Sequence, residues 1–374
     1  MSSNTMWEVL DLFIKTSTAD GVEDSLYANG RMQVPVSVFI KAIIQGDTKR
    51  YSLTQAELDS IQLLDYDDPT QILSGAWTYS DQRNEFPCAS EGPSVQNDSH
   101  SDYNTGDNSP PQRKVYLVST SNIENKNVGA RIKQPNGTVA VTHRGSDFPS
   151  HITLQGKEPI TYTTDNITVA KENSANGTFT VDWKGGGTSG SSTYPWSQDN
   201  YYVSTTEHAL HKAEIYNFDT TGSGNGTDSH KWLTNCYAKR TPGTELKLFF
   251  IWGLGHEGTK TVGLDRQTTD TKNKIQYTLE IHAYAAIQVN QKKGALCLTR
   301  LAFQLSHAIW GKEWSYDTCG FTLYDIFGNM GTFYAKMSSD PYYATTSTNS
   351  DSVVISNANP DPAGAGSSTT TTTK

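Results

Sequence analysis

A chain of 374 residues is too long for one ordinary β-sandwich, and domain sizes favour two or three units that each bury a core. Apolar residues make up only 35% and charged residues 18%, and Ser, Thr, Asn, Gly and Tyr fill the difference, a mixture suited to exposed sheets and long loops. The formal net charge of −9, with no cluster of Lys or Arg, excludes the positive footprint that counterion release requires, so no nucleic acid partner is expected.

The N-terminal segment, 1–30, places Trp7, Leu10, Phe13 and Ile14 at helical spacing, which predicts a short amphipathic docking helix, with an initial core strand as the alternative. Glu8 and Asp11 interrupt it and no basic stretch precedes it, so it does not read as a signal peptide. No run of about 18 apolar residues occurs anywhere, so no spanning membrane helix is expected. The chain therefore reads as made in the cytoplasm without a signal peptide, to be retained there, released by lysis or exported by a non-Sec route.

The first β unit spans 31–87. Val34, Val36 and Val38 alternate into the apolar run 39–44, Gln45-Gly46-Asp47 turns the chain, and Thr54-Gln55-Ala56-Glu57 is a capping box that starts one short helix. A strand resumes at 61–66, and Trp77 and Tyr79 share a face of another. The stretch 88–113 is polar and reads as a linker. The next unit, 114–184, has strands at 115–119, 128–132, 139–142, 152–154 and 160–163. It closes on a predicted hairpin, 167–183, around Asn176-Gly177; Asn136-Gly137 is a second turn signal of the same kind. The glycine-rich stretch 185–200 reads as a flexible joint. The last unit, 201–337, carries its longest apolar strands at 246–252, 277–289 and 296–305, with a final hairpin around Gly328-Asn329. The tail, 338–374, is Ser/Thr-rich and is expected to be disordered or extended against a neighbouring chain.

This recurrence of short β-branched and aromatic runs bounded by Gly, Asn, Asp or Pro defines the fold class as all-β, with two or three sandwich units, immunoglobulin-like or jelly-roll-like, in tandem. Lys114-Val115-Tyr116-Leu117-Val118, Gly129-Ala130-Arg131-Ile132, Asn136-Gly137-Thr138-Val139 and Ile152-Thr153-Leu154 resemble the strand order of bacterial immunoglobulin-like modules of the invasin type, over about residues 114–164. The resemblance implies a spacer or adhesion module, not an enzyme.

Candidate chemistry is sparse. Tyr194, Trp196, Tyr201 and Tyr202 gather around Asp199, a composition in which aromatic planes stack on sugar rings while the carboxylate accepts from hydroxyls; this is the candidate glycan site. The competing reading makes Trp196 and Tyr202 core anchors. Glu207, His208 and His211, the pair His256 and Glu257, and the acidic turn Asp65, Asp67 and Asp68 offer metal-ligand types, but surface and turn roles fit them better, so no metal and no cofactor is expected. Cys88, Cys236, Cys297 and Cys319 lack paired spacing; free thiols are the default, and a Cys297–Cys319 disulfide is the option for an exported protein. Glu313 with Asp317 or Asp325, in the aromatic stretch 310–324, offers a carboxylate pairing for a glycosidase, but neither a Gly-x-Ser-x-Gly elbow nor a phosphate loop occurs, and no catalytic residue is assigned. The alternation in 167–183 of apolar and Thr-rich faces suits a β-pore hairpin or a half-buried sandwich strand.

The reading that results is a non-enzymatic surface-binding protein, adhesin-like or lectin-like, whose partner is a cell-surface glycan or host receptor. The alternatives are a self-assembling structural protein, such as a coat, filament or inclusion component acting as a homo-oligomer, and a β-pore-forming toxin.

Overall fold

The computed structural model describes residues 5–88, 110–222, 231–316, 319–337, 353–358 and 368–372. The chain is an all-β protein that divides into two compact units, Met1–Ile160 with Phe327–Asn329, and Thr161–Ile326 with Met330–Lys374.

The first unit contains β1 (Trp7–Thr16), β2 (Glu23–Tyr27), β3 (Val34–Ile44), β4 (Arg50–Tyr51), α1 (Gln55–Asp59), β5 (Gln62–Asp65), β6 (Trp77–Ser80), β7 (Gln112–Thr120), β8 (Asn125–Lys133), β9 (Val139–Val141) and β10 (Ile152–Lys157). They form two sheets, β1-β3-β7-β6 with β4 on β3, and β2-β10-β8-β5 with β9 on β8. Apolar residues from both sheets, among them Leu12, Val36, Val38, Ile40, Leu63, Val118, Ala130 and Leu154, share one core. Residues 31–87 and 114–157 are therefore halves of one sandwich and not separate domains: β3 pairs with β7, and β5 pairs with β8. Strand pairing across long sequence separation is what the sequence conceals.

The N-terminal segment is a strand, not a docking helix. β1 pairs along β3 from Trp7↔Ile44 to Thr16↔Val36, with a bulge between Val9 and Asp11. Leu12 and Ile14 face the core, while Phe13 stacks on Phe39 with ring centroids 4.9 Å apart on the other face. Period-2 burial against a long partner outweighs the helical spacing of 7, 10, 13 and 14. The capping box forms as expected: Thr54 caps α1 and Glu57 returns the bond. Asn136-Gly137 turns β8 into β9, with Gly137 at φ +89.

The second unit contains β11 (Ile167–Gly185), β12 (Thr188–Thr205), β13 (Leu210–Tyr216), a 3-10 turn (Lys231–Leu233), β14 (Cys236–Arg240), β15 (Glu245–Trp252), β16 (Gly258–Lys272), β17 (Ile275–Val289), β18 (Leu296–Gln304), β19 (Trp314–Ser315), β20 (Gly320–Asp325), β21 (Met330–Met337), β22 (Val353–Ser356) and β23 (Ser368–Thr372). One sheet runs β16-β17-β11-β12-β18-β15-β14-β19 and a second runs β22-β21-β20-β13-β23. The large core collects Phe179, Trp196, Tyr202, Leu248, Phe250, Ile287 and Phe303 with their neighbours.

Two sequence expectations fail here. Asn176-Gly177 lies inside β11 and is no turn, and the glycine-rich stretch 185–200 is no joint: Gly186 and Gly187, at φ +58 and +79, are the tip that folds β11 onto β12. Pairing of β11 with β12 along their whole length from Ile167↔Thr205 to Gly185↔Thr188 overrides the local Asn-Gly preference. A register shift between Asn173 and Ala175 then moves the odd residues of β11 from one face to the other. Val169 and Phe179, one on each side of this shift, therefore face opposite sides of the sheet.

In the tail, β22 pairs with β21 and the Thr run of β23 pairs with β13, both within this chain. The rest of the expected tail, and the linker from 89 to 109, lie outside the described residues.

Candidate functional site

The five residues of the expected glycan site do not form one surface. Along β12, Tyr194, Trp196 and Tyr202 point to one face and Asp199 and Tyr201 to the other, as strand geometry dictates. Trp196, Asp199, Tyr201 and Tyr202 are buried, and Tyr194 is half-buried beside Phe179. Trp196 lies flat over Gly177 on the neighbouring strand, where an added Cβ would meet the indole at 2.7 Å. Asp199 accepts from Arg300 at 2.8 Å and pairs with Lys171 at 3.2 Å. Packing and ion pairing occupy these groups, so their faces and oxygens are not presented to a sugar.

The geometry offers another candidate, an arm built from two long hairpins. β17 pairs with β11 only through Thr180–Gly185 and Tyr277–His282. From this pairing to the tips, no residue of 182–195 or 265–280 is buried. The hairpin tips, Gly185 to Thr188 and Lys272 to Ile275, thus lie at the same end of a four-stranded sheet that extends past the core. Nearer the core, 283–289 of β17 leave β11, and Gln288 is held by the buried side chains of Gln198 and Asn200 on β12. Gly263 sits at this transition with φ +142, and a Cβ there would come within 1.9 Å of Ala283 O, so the strand tolerates only glycine at that point.

The two faces of the arm differ in chemistry. On one face, register aligns Trp183 with Leu279 and Gly190, and Tyr277 with Gly185, extending the core row of Phe179, Val181 and Ile281. Trp183 covers Gly190 and meets Tyr277 edge-on at 6.0 Å. The other face carries Thr180, Asp182, Lys184, Ser189, Ser191, Thr193, Gln267, Thr269, Thr278 and Glu280. At its base, His282 Nδ1 lies 2.8 Å from Asp265 and Nε2 lies 3.6 Å from Asp182, and the Tyr284 hydroxyl donates to Asp265. Burial and that carboxylate hold the Tyr284 phenol above its ordinary range.

The sequence shows part of this. Ile275, Tyr277, Leu279, Ile281, Ala283, Ala285, Ile287 and Val289 alternate along all of β17, the signal of a one-face strand. β16 has no apolar signal in sequence because Thr, Lys, Asp, Arg and Gln dominate it; pairing along its whole length with β17 makes it a strand.

The remaining candidates are placed as follows. Among the described residues no group of three or more His, Cys, Asp or Glu side chains converges. Asp65 pairs with Lys126, Asp67 accepts from Asn127, and Asp68 caps its own turn through Thr70. Glu313 accepts from Arg240 and Thr241, Asp325 is buried and accepts from Tyr162, and Asp317 lies outside the described residues. All four thiols are free, so Cys297 and Cys319 are not paired; burial pushes the Cys297 thiol up to about 11. No helix among the described residues is long and apolar enough to cross a membrane.

The fold and these sites define an all-β, sandwich-like protein with a protruding two-hairpin arm. No family model matches the chain. No curated protein matches it either. Among solved structures it is similar to the C-terminal domain of the Streptococcus pyogenes antigen I/II-family protein AspA, at 9% identity over 88% of this chain and 98% of that chain, with a TM-score of 0.19.

Proposed function

We propose that this is a non-enzymatic surface-binding protein whose two-hairpin arm engages and opens a lipid bilayer. The observation that supports it is the arm itself: strands of 19, 18, 15 and 15 residues run past the core with no buried residue in their outer parts. A bilayer-spanning strand needs about 9 to 11 residues; the whole strands reach that length, while the outer parts alone, 182–185, 188–195, 265–272 and 275–280, do not, so spanning draws in residues now packed in the core. An exposed sheet with an aromatic and aliphatic row on one face and Thr, Ser and charged residues on the other gains where lipid meets one face and water the other. The apolar contact falls on β11 and β17; on β16 the same side carries Arg266, Thr268, Asp270 and Lys272, the last two at the tip where headgroups receive charge. Open strand edges are excluded from hydrocarbon, so copies must join edge to edge, which makes the active form a homo-oligomer.

The test is dye release from phospholipid vesicles. Leu279→Asp places a charge in the apolar row at a half-buried position packed against the large core, so it lowers the thermal midpoint, and it should abolish release at temperatures where the variant is folded. Gln276→Lys, on the polar face, should release dye normally. Absence of release by the parent protein from both neutral and anionic vesicles sinks the proposal, as does full release by Leu279→Asp.

A further inference from the structure

The four-stranded arm has two open edges. Among the described residues β16 pairs only with β17, and over 188–195 β12 pairs only with β11, because its ladder to β18 begins at Trp196. The chain that follows β18 leaves this edge and crosses to β16, where Ile309 O accepts from Arg266 Nε at 2.7 Å and His307 Nε2 lies 3.4 Å from Asp270. Backbone amides and carbonyls along an open edge are a template for another strand. Proteins guard such edges with charged side chains, proline or bulges, yet 188–194 reads Thr-Ser-Gly-Ser-Ser-Thr-Tyr and has none of the three.

The two edges fit each other. Antiparallel pairing through β12, β11, β17 and β16 makes β12 run from tip to stem and β16 from stem to tip. Placed beside β12 of another copy with all tips at one end, β16 is therefore antiparallel to it. It then has the direction of β18, a strand that β12 already accepts from Trp196 onward. Register sets Thr188 level with Asp270, and Thr193 level with Asp265, across the arm. Level joining opposes Ser189 with Thr269 and Ser191 with Gln267 on the polar face, and Ser192 with Arg266 on the other, so both faces stay continuous. Since 188–194 carries no charge, no like charges meet. Like edges do not fit: joined antiparallel they send the two tips to opposite ends, and joined parallel they turn one copy's apolar face over.

We infer that copies of this chain join through 188–195 of β12 on one and 265–272 of β16 on the next, antiparallel and level. The inference rests on the bilayer reading, which requires joined copies, and names the edges that join. Because the two edges differ, every added copy leaves one of each kind open, so joining proceeds past a dimer until a ring closes.

Oxidation of introduced thiols tests it in a Cys88→Ser background, where Cys236, Cys297 and Cys319 are buried. Within one chain, positions 191 and 267 lie three strand spacings apart, about 14 Å. A disulfide reaches no more than about 7 Å between Cα atoms, so any bond between these positions joins two copies. Ser191→Cys/Gln267→Cys, with both positions exposed, should give a ladder of dimers, trimers and larger species on a non-reducing gel after oxidation on phospholipid vesicles. Either single variant should stay monomeric. Ser191→Cys/Thr268→Cys, whose second thiol points to the opposite face, should give no ladder. Absence of a ladder from the first pair, dimers from Gln267→Cys alone, or an equal ladder from the control pair overturns the inference. Dye release by the parent without a ladder defeats the edges named and leaves the bilayer reading standing; a ladder without dye release does the reverse.

Discussion

Gln198 grips Gln288 through both polar groups of its side chain: Nε2 donates to Gln288 O at 2.5 Å, and Oε1 accepts from Gln288 N at 2.9 Å. A side chain that is 1% exposed thereby replaces the strand ladder where β17 has left β11. Gln198→Met keeps the volume and removes the grip. The Gln288 carbonyl still receives Asn200 at 2.8 Å, but its N–H is left without this acceptor. A loss of about 1 to 3 kcal/mol is expected, measured as a lower urea midpoint; an unchanged midpoint removes the clasp from the account.

Asp182 and Glu280 are direct cross-strand partners on β11 and β17, where the two hairpins join. Opposed residues in an antiparallel pair have Cα atoms about 4.5 to 5.5 Å apart, within reach of a disulfide. Oxidised Asp182→Cys/Glu280→Cys protein should keep vesicle dye release, because the arm meets lipid as one joined sheet with its apolar row running across β11 and β17. Loss of release on oxidation, restored by reducing agent, means instead that the hairpins must separate and contradicts this.

Trp196 and Trp232 should behave as opposites. Trp196 is 8% exposed and fills the large core over Gly177, so Trp196→Ala is expected to cost about 3 to 5 kcal/mol. Trp232→Ala should shift the thermal midpoint far less, its ring being 38% exposed. Calorimetry of both variants decides whether the β12 aromatics are structural.

Acid should weaken the first unit through Glu57. Partial burial alone would raise its carboxyl, but hydrogen bonds from the Thr54 amide and hydroxyl, Trp7 and Tyr51 outweigh that and hold it below the ordinary value. A folded pKa below the unfolded one gives stability that is present above the unfolded value and lost as pH falls through the folded one. Glu57→Gln should therefore flatten the dependence of stability on pH below about 4.5 relative to the parent. Parallel curves for parent and variant contradict this.

The all-β class was legible because each turn announces itself locally: Thr54 with Glu57, Asn136-Gly137 and Gly328-Asn329 stand where the sequence puts them. Partnering was not legible. The pairing of β3 with β7 joins segments that look like separate domains, since contacts between residues some 80 apart leave no local mark. Asn176-Gly177 misled for the converse reason: its turn chemistry is real, but β12 pairs straight past it. The arm was half visible, in the alternation of β17 and not in the polar β16. The expected glycan cluster failed because adjacency in sequence places Tyr201 and Tyr202 on opposite faces of a strand.

The central claim is that the arm meets lipid through one face of β17, and cysteine scanning of 275–280 with an environment-sensitive fluorophore tests it most directly. Cys236, Cys297 and Cys319 are buried, so replacing Cys88 with Ser leaves the introduced thiol as the reactive one among the described residues. Labels at 275, 277 and 279 should shift to the blue on addition of vesicles, while those at 276, 278 and 280 should stay as in water. Equal response at all six positions, or none at any, contradicts the account.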